Sequence, residues 1–156
     1  MIRPAVIDDL PALLRLAELM HSESRFAGRY PFDHYKAREL LDTAIWHPAW
    51  VVWVAEKDGE LVGGLVGTIS EQWFSRELVV QDLAVFVKPD ARGGFIAARM
   101  VRLFHEWAVD RGAVDCEIGV NTGVHPERTG ELLKAAGFEQ VGQLYSKRAN
   151  ECVSPQ

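Results

Sequence analysis

Residues 77–113 read ELVVQDLAVFVKPDARGGFIAARMVRLFHEWAVDRGA, and the hydrophobic period changes once inside them. Up to Val87 the run is apolar and rich in β-branched residues, broken only by Gln81 and Asp82. That pattern predicts a buried strand. Pro89 ends it, because proline has no N–H for a ladder and restricts the residue before it. From Ile96 the apolar residues fall at helical spacing. Ile96, Met100, Leu103, Phe104, Trp107 and Ala108 share one face until Arg111-Gly112 closes the helix.

The turn between strand and helix carries the chemistry. Gly93 and Gly94 lack the Cβ atoms that would keep a ligand from the backbone. The helix that follows opens with unpaired N–H groups and the positive end of its dipole. Together they suit a phosphate or pyrophosphate. A second reading is that the two glycines only allow a sharp turn.

Around this unit the chain reads as one domain over residues 1–148, with a tail over 149–156. Residues 2–7 are a short strand, and Asp8 or Asp9 caps a helix with Pro11 in its first turn. A polar and aromatic loop, residues 21–31, leads to a second helix capped by Asp33. Residues 50–56 and 61–71 are strands joined through Asp58-Gly59, a strong hairpin signal. Gly63, Gly64 and Gly67 mark bulges or close backbone approach in the second of them. After the central unit come a strand over 114–120, a helix opened by Pro126 and closed by Gly137, and a last strand over 138–147 broken at Gly142. The order is β-α-α-β-β-β-α-β-α-β.

A net charge of −5 argues against non-specific nucleic-acid binding, which needs a basic surface. It permits a cationic substrate. No window reaches the length of a membrane span, and Arg3-Pro4 and Asp8-Asp9 interrupt any signal-peptide-like run. Cys116 and Cys152 are too few for a disulfide framework, so a reducing cytoplasmic location is expected. The five histidines show no ligand spacing, and no metal is expected. Trp46, Trp50 and Trp53 read as core or as a dimer surface.

Arg92-Gly93-Gly94-Phe95-Ile96-Ala97, followed by RMVRLFHEWAVDRGA, resembles motif A of the GCN5-related N-acetyltransferase (GNAT) superfamily. That pattern is Arg/Gln-x-x-Gly-x-Gly/Ala after a strand ending in Val-x-Pro. Val87-Lys88-Pro89, Arg92 and Ala97 match it, while Phe95 stands in the place of a glycine. The resemblance covers about residues 2–147. It implies an α+β fold: a mixed, mostly antiparallel central sheet flanked by helices, with a β-α-β core that binds acetyl-CoA. It implies that Arg92, Gly93, Gly94, Phe95, Ile96, Ala97 and Ala98 meet the donor's pyrophosphate, and that Phe86 and Val87 lie beside its pantetheine arm. Phe95 fits if its side chain points away; packed into the core, it would reshape the turn.

The implied reaction is acetyl transfer from acetyl-CoA to a primary amine of a small molecule or peptide, by direct attack in a ternary complex. The alternative is a non-catalytic acyl-CoA-binding or sensor module. Asp82, an acid in an apolar strand, lies near the place of the family's general base, and partial burial would raise its pKa toward a useful range. It also reads as a structural acceptor for loop N–H groups. Leu133 occupies the place where many relatives carry a tyrosine as general acid, and Pro126 replaces their asparagine, which leaves Tyr145 or a water to protonate the thiolate. Glu23, Arg25 and Arg29 lie in the loop that borders the acceptor site in relatives. Each also reads as part of a solvated loop. Edges in relatives often pair as homodimers.

Overall fold

A computed structural model of the protein describes residues 1–149. Five strands form one sheet in the order β1-β2-β3-β4-β5: β1 (Ile2–Pro4), β2 (Trp50–Lys57), β3 (Glu60–Glu71), β4 (Leu78–Val87) and β5 (Asp115–Glu117). The first three pairings are antiparallel, and β4 with β5 is parallel. The parallel pair is joined by α3 (Ile96–Asp110), the crossover that the change of period requires. Helices α1 (Leu10–Glu23), α2 (His34–Trp46) and α4 (Pro126–Ala135) complete the fold.

Alternation along the strands builds a three-layer core. Val52, Val54, Leu61 and Val66 face α1 and α2, against Leu10, Leu13, Leu16, Leu41 and Ala44. Val62, Leu65, Ile69, Val80 and Val87 face α3, against Met100, Phe104 and Ala108. Burying each such side chain stabilises the fold by about 1.5–3 kcal/mol. Trp53 meets Phe104 edge-on, and Trp107 stacks on it. Trp50 packs half-buried on the other layer, while Trp46 is exposed.

Local signals act as read. Asp33 caps α2 by accepting the Lys36 N–H at 3.0 Å. Asp58 and Gly59 both adopt positive φ, the geometry a two-residue hairpin between β2 and β3 requires. Gly67 is needed for close approach, since a Cβ there would fall 2.2 Å from Phe104 Cε2.

Three expectations change. The first strand stops at Pro4, and Ile7–Asp9 winds into a tight turn before α1. The strand expected over 114–120 is only Asp115–Glu117. The last strand, expected over 138–147, does not form: among the described residues nothing pairs with the outer edge of β5. Alternation needs a ladder partner, and here the segment is held instead by Arg29, whose Nη1 donates to Ser146 Oγ at 2.5 Å, leaving Val141, Leu144 and Tyr145 exposed. Of the expected tail, all but Ala149 lies outside the described residues.

Candidate active site

The site begins where β4 and β5 part. Their pairing covers Val79–Gln81 against Asp115–Glu117 and then stops, so among the described residues no strand lies beside the outer edge of β4 from Asp82 onward. On the other edge the register shifts: Val66 pairs with Ala84 and Gly67 with Asp82, leaving Leu83 as the extra residue of a bulge. A parallel pair that splays beside a bulge makes a fork, and Asp82 stands in its angle.

Asp82 is half-buried, and its Oδ1 accepts the Gly119 N–H at 2.7 Å. Burial pushes its carboxyl above the ordinary carboxylate range, and the Gly119 amide offsets part of that rise. Asp82 thus accepts a loop N–H, as its structural reading expected, and has the raised pKa that its reading as a base expected. Cys116 lies next to the fork on β5. Burial, with Asp115, Asp82 and Glu117 adding to it, pushes its thiol up to about 11, which removes it as a nucleophile at neutral pH.

Asp82 opens on a cavity of about 1510 Å³ between β5, α3, α4 and the segment after α4. Its walls carry Asp115, Glu117, Glu127, Glu131 and Glu139 besides Asp82, against Lys134. Leu133 is buried in α4 and lines this cavity, so no hydroxyl occupies that position. Tyr145 lines it too, on its exposed far wall, where its hydroxyl donates to Gln143 Oε1.

At the other end of β4, Phe86 pairs with Gly64, and Val87 is buried. Gly93 takes φ +89°, the left-handed conformation that favours glycine, and no atom lies near the Cβ position of Gly94. Phe95 precedes the first helical residue with its side chain 83% exposed, so it neither enters the core nor closes the turn. Ile96, Ala97 and Ala98 open α3 with N–H groups that have no acceptor within the helix. Arg92 differs from its neighbours. Its N–H donates to Pro89 O, its Nε to Val87 O at 2.8 Å, and its Nη2 to Glu23 Oε2 at 2.6 Å, with the guanidinium over Phe86.

The three loop residues named from sequence are all engaged within the chain. Glu23 ends α1 and pairs with Arg92. Arg25 donates through Nε to Asn121 O at 2.6 Å and through its backbone N–H to Thr122 O at 2.8 Å. Arg29 holds Ser146. They strap the α1–α2 loop to the anion turn, to the β5–α4 connection and to the last segment. Sequence reading missed Gly119, and Arg128, whose Nη2 lies 3.4 Å from where a Cβ on Gly93 would stand. A cation in the first turn of a helix is the one signal that marks Arg128 in the sequence. Among the described residues no group of His, Cys, Asp and Glu is set to hold a metal, and no helix is long and apolar enough to cross a membrane.

Solved structures share this architecture. An integron cassette protein from the mobile metagenome of Cole Harbour Salt Marsh is 24% identical, with a TM-score of 0.76 over 97% of this chain and 91% of its own. A putative acetyltransferase from Agrobacterium tumefaciens is 20% identical, with a TM-score of 0.74 over 95% and 99%. An aminoglycoside acetyltransferase from an uncultured soil metagenomic sample, solved with sisomicin, is 17% identical, with a TM-score of 0.71 over 95% of each chain. No curated protein matches the sequence. The sequence model of the acetyltransferase (GNAT) family matches residues 14–138, which span the fork, the anion turn and both helices beside them, and the chain belongs to that family.

Proposed function

We propose that this protein transfers the acetyl group of acetyl-CoA to a primary amine by direct attack in a ternary complex. The observation that carries the reading is Asp82, a half-buried carboxylate of raised pKa in the angle between β4 and β5. The residues present fit the donor. Gly93 and Gly94 leave the backbone of the turn accessible, the first turn of α3 offers N–H groups to a pyrophosphate, and the free edge of β4 offers backbone groups to an amide-bearing arm. Bound acetyl-CoA supplies an acetyl group activated as a thioester.

Asp82 takes the proton from the acceptor's ammonium, so that the nitrogen lone pair is free to form the new C–N bond. A carboxylate of raised pKa is a stronger base than an ordinary one. Tyr145, on the far wall of the same cavity, is the proposed donor of a proton to the departing thiolate. Arg25 and Glu23 hold the loop beside the site, Arg25 to Asn121 and Glu23 to Arg92. The carboxylates around the cavity favour an amine carried on a cationic small molecule over an acidic peptide.

One feature favours the second reading, a binding or sensor module: Leu133 stands where relatives carry the acid, and Tyr145 is 84% exposed. Thermal melts with acetyl-CoA, CoA and ATP, followed by turnover over an amine panel, separate the two. Ligand at roughly one hundred times its dissociation constant adds about 2.7 kcal/mol, on the order of 5–10 °C in Tm for a chain of this size. A shift with both CoA forms and turnover with an amine supports the enzyme. A shift with no turnover on any amine supports the module, and no shift overturns both.

A further inference from the structure

Arg128 is the third residue of α4, and its guanidinium stands over the Gly93 turn. The start of α4 is set by His125, which takes the left-handed conformation, and by Pro126 behind it. Arg128 is therefore carried on a defined helix end, facing the N-terminus of α3. That end has no acidic residue in its first turn and no side-chain cap. In α4 the positive dipole end is already partly offset by Glu127, but Arg128 adds a full positive charge to it. Among the described residues Arg128 makes no ion pair. A guanidinium set against two positive helix ends gains from an anion placed between them.

Arg92, the cation closest to the turn in sequence, already has an anionic partner. Its Nε donates to Val87 O and its Nη1 and Nη2 to the Glu23 carboxylate, which offsets its charge and fixes its direction. We propose that Arg128 is the side chain that binds the pyrophosphate of the donor, reaching across the turn from α4, and that Arg92 positions the turn instead. The inference rests on the donor reading above and adds to it the residue that closes the anion site from a second helix. Arg128 then also links donor binding to α4, whose opposite flank lines the cavity next to Asp82.

The test is direct binding, by calorimetry and by competition for the weakest ligand, of wild type, Arg128→Ala and Arg128→Lys to CoA, 3′-dephospho-CoA and pantetheine. Loss of a charge-assisted contact of this kind is expected to weaken CoA binding about 10- to 100-fold in Arg128→Ala, with Arg128→Lys between. The same loss with 3′-dephospho-CoA, and none with pantetheine, assigns the contact to the pyrophosphate. Equal binding of CoA by wild type and Arg128→Ala overturns the inference and leaves the donor reading standing. So does a loss confined to CoA, which would put Arg128 on the 3′-phosphate, or a loss that persists with pantetheine, which would make its role structural. Failure of wild type to bind CoA overturns the donor reading itself.

Discussion

Arg92 and Glu23 meet as a two-point ion pair, Nη2 to Oε2 at 2.6 Å and Nη1 to Oε1 at 3.3 Å, which ties the last turn of α1 to the anion turn. Both side chains are about three-quarters shielded from solvent, at 23% and 26% exposure. Glu23→Ala is expected to remove about 1 kcal/mol, or about 2–4 °C in Tm. Arg92→Ala should remove more, because the Val87 carbonyl also loses its donor. In a double-mutant cycle the two losses should fall short of adding by about 0.5–1 kcal/mol. Strict additivity would show that the strap carries no coupling.

Asp82→Asn keeps an oxygen to accept the Gly119 amide and removes the base. Turnover is expected to fall by about 10²–10⁴ while CoA affinity stays near wild type. The wild-type rate should rise with pH through the raised pKa of Asp82, and that limb should vanish in the variant. The folded state holds a proton on Asp82 at pH values where the unfolded chain has lost it. Stability from this group therefore falls as pH rises from the ordinary carboxylate range through the raised value. Asp82→Asn should accordingly melt no lower than wild type at neutral pH, and a variant with a full pH limb would remove Asp82 from the base role.

Asp9 carries the opposite sign. Arg3 grips both its oxygens, at 2.7 and 2.9 Å, and the Val6 N–H donates to Oδ2, which holds its carboxyl below the ordinary range. Its contribution is fully present above the unfolded carboxylate pKa and is lost as pH falls through the folded value. Asp9→Asn should destabilise by about 1–2 kcal/mol at pH 7, with the gap to wild type closing in acid. A gap independent of pH would point to packing instead.

Gly67→Ala places a methyl 2.2 Å from Phe104 Cε2 and 2.6 Å from its Cζ. The ring is fully buried and has no space to retreat. The expected loss is about 1–3 kcal/mol, read as a lower midpoint in urea. Phe104→Leu in the same chain should destabilise less on the Gly67→Ala background than on wild type, because the clash is then already relieved.

Cys116, with its thiol raised to about 11, should alkylate slowly at neutral pH, and Cys116→Ala should turn over as wild type does. Rapid mixing should give no burst of CoA release ahead of steady turnover. A burst lost in Cys116→Ala would replace direct attack by an acyl-enzyme route.

What was legible in the sequence is what neighbours along the chain decide. The β4-turn-α3 unit, the Asp58-Gly59 hairpin, the cap at Asp33 and the place of Asp82 on β4 all follow from period, turn chemistry and one polar residue in an apolar run. Asp9, by contrast, precedes α1 without capping it, its carboxylate taken by Arg3 and the Val6 N–H. Phe95 is instructive. Its identity breaks the glycine pattern, yet its ring stays exposed to solvent and out of the core, and no local rule states that outcome.

The segment after α4 alternates as a strand should, yet alternation alone does not pair it with the outer edge of β5, and Arg29 holds it through Ser146. The same physics separates Arg92 from Arg128. Motif spacing marks Arg92 as the cation of the turn, but residues distant in the chain decide its partner and its neighbours: Glu23 pairs with Arg92, and α4 brings Arg128 beside Gly93. Local order was encoded in hydrophobic period, caps and glycines. The fork at Asp82 and the partner of each charge were decided by packing, because those interactions join residues that the sequence keeps tens of positions apart.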